Sequence, residues 1–156
     1  MLFKIVAVGK IKEKFFKDAI AEYVKRISRF AEVNIVEVDE YTFNGVPNPS
    51  EIDKIILQEG KNILQKVEGC LIALDIDGKQ LASEELSEHL DKFTLNHSVI
   101  TFVIGGSYGL SAEVKGRAQL RLSFGKITLP HQLCRVVLCE QIYRACTIRN
   151  NIKYHK

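Results

Sequence analysis

Ser98-Val99-Ile100-Thr101-Phe102-Val103-Ile104-Gly105-Gly106-Ser107-Tyr108-Gly109-Leu110-Ser111 decides the fold of this 156-residue chain. Seven residues rich in Val, Ile, Thr and Phe form an apolar run of strand length, stopped by two glycines, with a third before a helix-compatible segment opens at Ser111. This pattern predicts a buried strand feeding a glycine-rich turn. An open α/β sheet binds ligands beyond the carboxyl ends of its strands, and glycine lets a ligand approach backbone closely. Gly105, Gly106 and Gly109 therefore mark a candidate site. The spacing is neither the dinucleotide GxGxxG nor a P-loop, and the Lys-Ser/Thr pair that grips phosphate is missing. From the glycines alone, a ligand site and a plain tight turn stand side by side.

Outward from this stretch, strands alternate with helices. Phe3–Val8 reads as a first strand ending at Gly9. Lys12–Phe30 follows as a helix with Phe16, Ile20, Tyr23, Val24, Ile27 and Phe30 on one face. Lys10, Lys12, Lys14, Lys17, Lys25, Arg26 and Arg29 decorate this region as a solvated face or, alternatively, a nucleic-acid contact. Val33–Val38 is a second strand, and Asn44-Gly45 with Pro47-Asn48-Pro49 make Asp39–Pro49 a loop. Ser50 is expected to cap the next helix, with Ile52, Ile55, Ile56, Ile63 and Val67 buried. Gly69–Leu74 reads as the third strand. Asp75-Ile76-Asp77-Gly78 resembles a calcium loop in composition, but the first ligand position would be Ala73, inside a strand, so the reading is a βα turn. Ser83 is expected to cap a helix running to Phe93.

Past the glycine turn, Ser111–Ala118 reads as a short helix and Leu120–Leu129 as an extended segment broken at Gly125. Pro130 opens a long helix from His131 to Asn150. Its apolar residues Leu133, Val136, Val137, Leu138, Ile142, Ala145 and Ile148 spread beyond one stripe, implying burial on two sides, one of them a second subunit. Five strands alternating with helices define an α/β fold with a mainly parallel sheet and helices on both faces, in one domain over residues 1–156. Glu140 and Arg144, four apart, form an ion pair or bind substrate, and Arg135 could join them. His131 at a helix N-terminus reads as a capping or packing group. Tyr154-His155-Lys156 ends the chain with an aromatic ring, an imidazole and a cation.

Composition narrows the function classes. Cys70, Cys134, Cys139 and Cys146 form no CxxC pair, which argues against a zinc site or disulfide framework and for reduced, buried thiols. MLFKIVAVGK lacks a basic leader and is too short to span a bilayer, so it reads as a strand of a cytoplasmic protein with no membrane partner. Net charge is +3 but uneven: Lys115–Lys156 holds 9 Lys and Arg against 1 acidic residue, or +8, and the preceding 114 residues sum to −5. Such asymmetry suits an anionic partner, usually nucleic acid.

IALDIDGK, FVIGGSYGLS and LSFGKITLPHQLCRVVLCEQIYRACTIRNNIKYHK closely resemble the motifs of small bacterial SPOUT-class methyltransferases that modify a pseudouridine at N3 in 23S ribosomal RNA. The likeness covers essentially the whole chain and is strongest from Phe102 onward. It implies S-adenosyl-L-methionine as methyl donor, a homodimer, ribosomal RNA or the ribosome as partner, no metal, and a trefoil knot in the C-terminal half. Position by position, it implies cofactor contacts from Leu74, Gly105, Phe124, Gly125, Lys126, Ile127, Thr128 and Leu129. It also implies that Tyr154 and His155 complete the partner's site. Gly125 stands where serine is expected in many relatives, so any side-chain contact from that position is lost.

An N3 proton of a uracil-type ring must leave before or during attack on the methyl group. His155 or Glu140 could take it, and Arg135 or Arg144 could stabilise the resulting anion. A non-catalytic RNA-binding module with a structural glycine turn, or an enzyme using another nucleotide cofactor, remains the competing class.

Overall fold

The computed structural model describes residues 1–156. Five strands, β1 (Leu2–Val8), β2 (Glu32–Val38), β3 (Cys70–Gln80), β4 (Val99–Ile104) and β5 (Leu120–Ser123), form one sheet of order β2-β1-β4-β3-β5 in which every pairing is parallel. The helices are α1 (Lys14–Ile27), α2 (Pro49–Leu64), α3 (Ser83–Thr94), α4 (Ala112–Arg117) and α5 (His131–Arg149). β4 lies at the centre, as its unbroken apolar run requires, because both its faces are covered. Ile100, Phe102 and Ile104 join Phe3, Ile5, Ile72, Leu138 and Ile142 on the face that packs α1, α3 and α5. The alternate residues Val6, Val8, Val103 and Ala73 meet Ile63 and Val114 of α2 and α4 on the other face. Thr101, fully buried in β4, donates its hydroxyl hydrogen to the Glu68 carbonyl at 2.6 Å.

Several expected boundaries move, for identifiable reasons. Asn48, not Ser50, caps α2: its side chain accepts from the Glu51 amide at 2.8 Å while Glu51 reaches back to the Asn48 amide, and Pro49 occupies the first helical position. Ser83 likewise does not cap α3. The Ala82 amide donates to Glu85 at 2.7 Å, and the Ser83 hydroxyl donates to Gln141 of α5 at 2.7 Å, pinning the two helices together. Ser111 does cap α4, accepting from the Val114 amide at 3.2 Å.

Asp75–Gly78 is not a βα turn. β3 continues through it: pairing with β5 breaks after Leu74 and resumes when Lys79 and Gln80 meet Leu122 and Ser123, so the turn-forming residues make an irregularity within a strand. Leu120–Leu129 is extended only to Ser123. From Phe124 it is a loop, turned at Gly125 with φ +117°.

Candidate active site

A cavity of about 580 Å³ opens where β4 and β5 end and where β3 loses its pairing with β5 after Leu74. Leu74, Ile104, Leu122, Phe124, Ile127 and Leu129 give it largely apolar walls, and its floor is the Gly105–Gly109 turn. Of the residues singled out for cofactor contact, Leu74, Gly105, Phe124, Gly125, Ile127, Thr128 and Leu129 line this one space. Lys126 does not; its side chain points to solvent.

The three glycines of the turn serve different ends. Gly109, at φ +86°, holds a left-handed conformation, and its amide closes the turn onto the Gly106 carbonyl at 3.1 Å. Gly105 and Gly106 are glycine for want of space. A Cβ at Gly105 would stand 2.9 Å from the Gly109 carbonyl carbon, and one at Gly106 would stand 2.9 Å from Glu59 Oε1.

The cavity's cation is already partnered. Lys115 lies 3.7 Å from Asp75, whose side chain is 3% exposed and which also takes Arg121 at 3.4 Å. Without a free cation, the walls suit an uncharged or cationic nucleoside rather than a polyphosphate.

A second cluster forms on α5. Glu140 accepts from Arg144 at 2.5 Å, from Gln141 at 2.7 Å and from the Tyr154 hydroxyl at 3.1 Å. The Arg144 guanidinium lies over the Tyr154 ring at 4.7 Å, and Tyr154 meets Tyr143 edge to face. His155 Nδ1 is 3.2 Å from Arg144 and Nε2 is 2.7 Å from Glu84. Since Arg144 can only donate, Nδ1 must accept and Nε2 carries the hydrogen given to Glu84. Asn151, at φ +54°, turns the chain after α5, which lets the tail fold back onto the helix. Burial and the Glu140 carboxylate push the Tyr154 phenol above its usual range, so it stays a donor.

Residues 1–155 match the family described as predicted SPOUT methyltransferase. The chain belongs to the SPOUT methyltransferase family. It is 50% identical over 159 residues to the ribosomal RNA large subunit methyltransferase H of Streptococcus pneumoniae strain CGSP14, covering all of both chains, and equally similar to that of strain JJA. Its fold is similar to a methylase family protein from Haemophilus influenzae Rd KW20 (TM-score 0.54, 13% identity, 96% of this chain and 66% of that one). A methyltransferase from Legionella pneumophila, solved with bound SAM, is similar at a TM-score of 0.50 and 11% identity, over 92% of this chain and 66% of that one.

Within this SPOUT chain the structure gathers Glu140, Arg144, Tyr154 and His155 but leaves Arg135 out. Arg135 is 2% exposed and donates to Glu37 at 2.8 Å and to the Gly9 carbonyl at 3.1 Å, so the expected role on a substrate anion gives way to tying α5 to the ends of β1 and β2. None of the tail residues lines the cavity. His131 does line it, with Nδ1 buried and unpartnered and Nε2 3.9 Å from Glu40, which is more than a packing role requires. Glu59 went unread in the sequence although a signal existed: it falls on the stripe Ile52, Ile55, Glu59, Ile63, where helical spacing places it among buried residues.

Proposed function

We propose that this SPOUT chain is an S-adenosylmethionine-dependent methyltransferase, a single domain over residues 1–156, that methylates N3 of a pseudouridine in 23S ribosomal RNA on assembled ribosomes in the cytoplasm. The observation that carries this reading is the cavity beyond β4 and β5, beside the Leu74–Asp77 stretch of β3. Its volume lies in the range of about 300–1,000 Å³ usual for cofactor sites, its apolar walls suit a purine, and Asp75 neutralises its Lys115. Leu74, Gly105 and the Phe124–Leu129 loop would hold the cofactor, which supplies an electrophilic methyl group on a positively charged sulfur. The family's trefoil knot belongs to this reading, and the closeness of the Phe124–Leu129 loop and the Gly105–Gly109 turn around one space supports it. No helix is long and apolar enough to cross a membrane, and no three His, Cys, Asp or Glu side chains are placed to hold a metal ion.

The tail supplies the acid–base chemistry. Glu140, occupied by three donors, is a poor base and instead orients Arg144 and Tyr154. His155 is the better base: on leaving Arg144 it frees Nδ1 to take the N3 proton. Arg144 then faces the ring anion, and Tyr154 offers an aromatic face for the target base.

A homodimer completes the site. Val136 and Leu138, two of the apolar residues of α5, pack into the core of their own subunit, Leu138 entirely. Leu133, Val137 and Ile148 remain half-exposed and share a stripe with Glu140 and Arg144. A second copy on that stripe would lie against the tail. Calorimetry with S-adenosylmethionine, followed by methylation of free 23S RNA, large subunits and whole ribosomes with the modified base mapped, tests the proposal. A chain that binds RNA but no cofactor would leave the RNA-binding module standing.

A further inference from the structure

α2 carries one acid into the interior. Glu59 is 3% exposed; Oε2 accepts the Tyr41 amide at 3.0 Å, and Oε1 is buried with no partner at all. A buried carboxyl oxygen left unpaired is destabilising, and native structures seldom tolerate it without a use. Burial raises the pKa of Glu59 above the usual carboxylate range, the Tyr41 amide opposes this, and the charge of Glu40 adds to the rise.

Glu59 lines a second cavity of about 160 Å³ beneath the loop that joins β2 to α2. Glu40, Tyr41 and Tyr108 are the other titratable groups on its walls, and no Lys, Arg or His faces it. This small cavity shares Ser107 and Tyr108 with the 580 Å³ cavity, so the two adjoin across the glycine turn. Gly106 allows the contact, because any side chain there would collide with the Glu59 carboxyl.

We propose that the small cavity is an ammonium subsite: Glu59, with Glu40 beside it, receives the α-ammonium of an amino-acid arm carried by the nucleoside in the larger cavity. The inference rests on the cofactor reading above. Glu40 has only the His131 imidazole near it, at 3.9 Å, and Glu59 has no basic side chain as partner, so its unfilled acceptor asks for an N–H donor. An ammonium brings charge and donor together; a sulfonium brings charge without a donor. The 160 Å³ space also admits the end of such an arm, since liquid water takes about 30 Å³ per molecule.

Calorimetry with three probes tests this: S-adenosylhomocysteine, its deamino analogue, and 5′-methylthioadenosine, which lacks the arm. Glu59→Gln is expected to weaken S-adenosylhomocysteine tenfold or more while leaving the deamino analogue and methylthioadenosine within twofold of wild type. Unchanged binding of all three, or an equal loss for all three, would overturn the subsite. Wild-type protein that bound none of them would overturn the cofactor reading, and the subsite with it. Should Glu59→Gln fail to fold, wild-type calorimetry with the same three probes decides: S-adenosylhomocysteine should bind at least tenfold tighter than its deamino analogue, and equal affinities for the two reject the assignment.

Discussion

Arg135 of α5 is held by Glu37 of β2, 98 residues earlier, at 2.8 Å, with the arginine side chain 2% exposed and the glutamate 37% exposed. The asymmetry of burial makes the two halves unequal. Removing Glu37 strands a buried guanidinium, which has no way back to water; removing Arg135 leaves a carboxylate that can hydrate. Glu37→Ala should therefore cost about 2–4 kcal/mol, and Arg135→Met, which keeps the volume, about 1–2 kcal/mol. Urea unfolding of both variants measures the order, and a costlier Arg135→Met would contradict it.

The same pair sets an acid limb. Burial pushes the Glu37 carboxyl up, but the hydrogen bonds from Arg135 and the Ile11 amide, with the charges of Arg135 and Lys10, bring it below the usual carboxylate range. A folded-state value below the unfolded one adds stability above the ordinary carboxylate range, and that stability is lost as pH falls through the folded value. Arg135→Met should flatten this limb. Thermal melts from pH 6 to pH 3 should show a smaller loss for the variant than for wild type.

Much of the fold was legible because both core faces are written into alternation: Phe3, Ile5 and Ala7 point one way and Val6 and Val8 the other. What escaped the sequence has physical causes. Asp75–Gly78 carries every mark of a turn, yet β5 offers backbone partners beyond it, and tertiary pairing overrides local preference there. Asn48 outranked Ser50 because Glu51 sits three residues after it and closes a capping box. The Glu140–Arg144 pair was readable from spacing, whereas the burial of Arg135 depends on Glu37 and Gly9, neither of them near it in sequence.

The half-exposed stripe on α5 makes a prediction about assembly. Val137→Asp should dissociate the proposed homodimer, while Val136, packed against its own core, should affect folding more than association when changed to Asp. Sedimentation at micromolar concentration distinguishes the two, and a wild-type monomer under those conditions would reject the dimer.

For RNA, the +8 of the last 42 residues overstates the free charge. Arg117 pairs with Glu113 at 2.7 Å, Arg121 with Asp75 at 3.4 Å and Arg149 with Asp91 at 3.1 Å, so those first two arginines are weaker candidates than composition implied. Lys126, Lys153 and Lys156 are exposed and form no ion pair. Changing Lys126 and Lys153 to Ala should lower RNA affinity and reduce the slope of log affinity against log salt by about one unit per lost phosphate contact. Arg117→Gln should change it less, and the opposite order would move the RNA surface.

The tail presents the sharpest test, because the structure shows it folded onto its own helix and absent from its own cavity. Tyr154 and His155 are tied to Glu140, Arg144 and Glu84, on elements that a second copy at the Leu133–Val137–Ile148 stripe would approach. Deleting Tyr154–Lys156 should leave fold, dimer and cofactor affinity nearly unchanged while methyl transfer collapses. His155→Ala alone should cost about a hundredfold or more if the imidazole is the base, on the usual scale of general-base catalysis; a much smaller loss would assign it to positioning. The subunit that owns the working tail follows from mixing. A tail-deleted chain keeps its cavity, and a Gly105→Val chain keeps its tail but crowds its own turn, where even a Cβ would meet the Gly109 carbonyl carbon at 2.9 Å. Heterodimers of the two contain one intact cavity facing the other chain's intact tail. They should regain one active site per dimer if the tail acts across the interface, and none if each tail serves its own subunit.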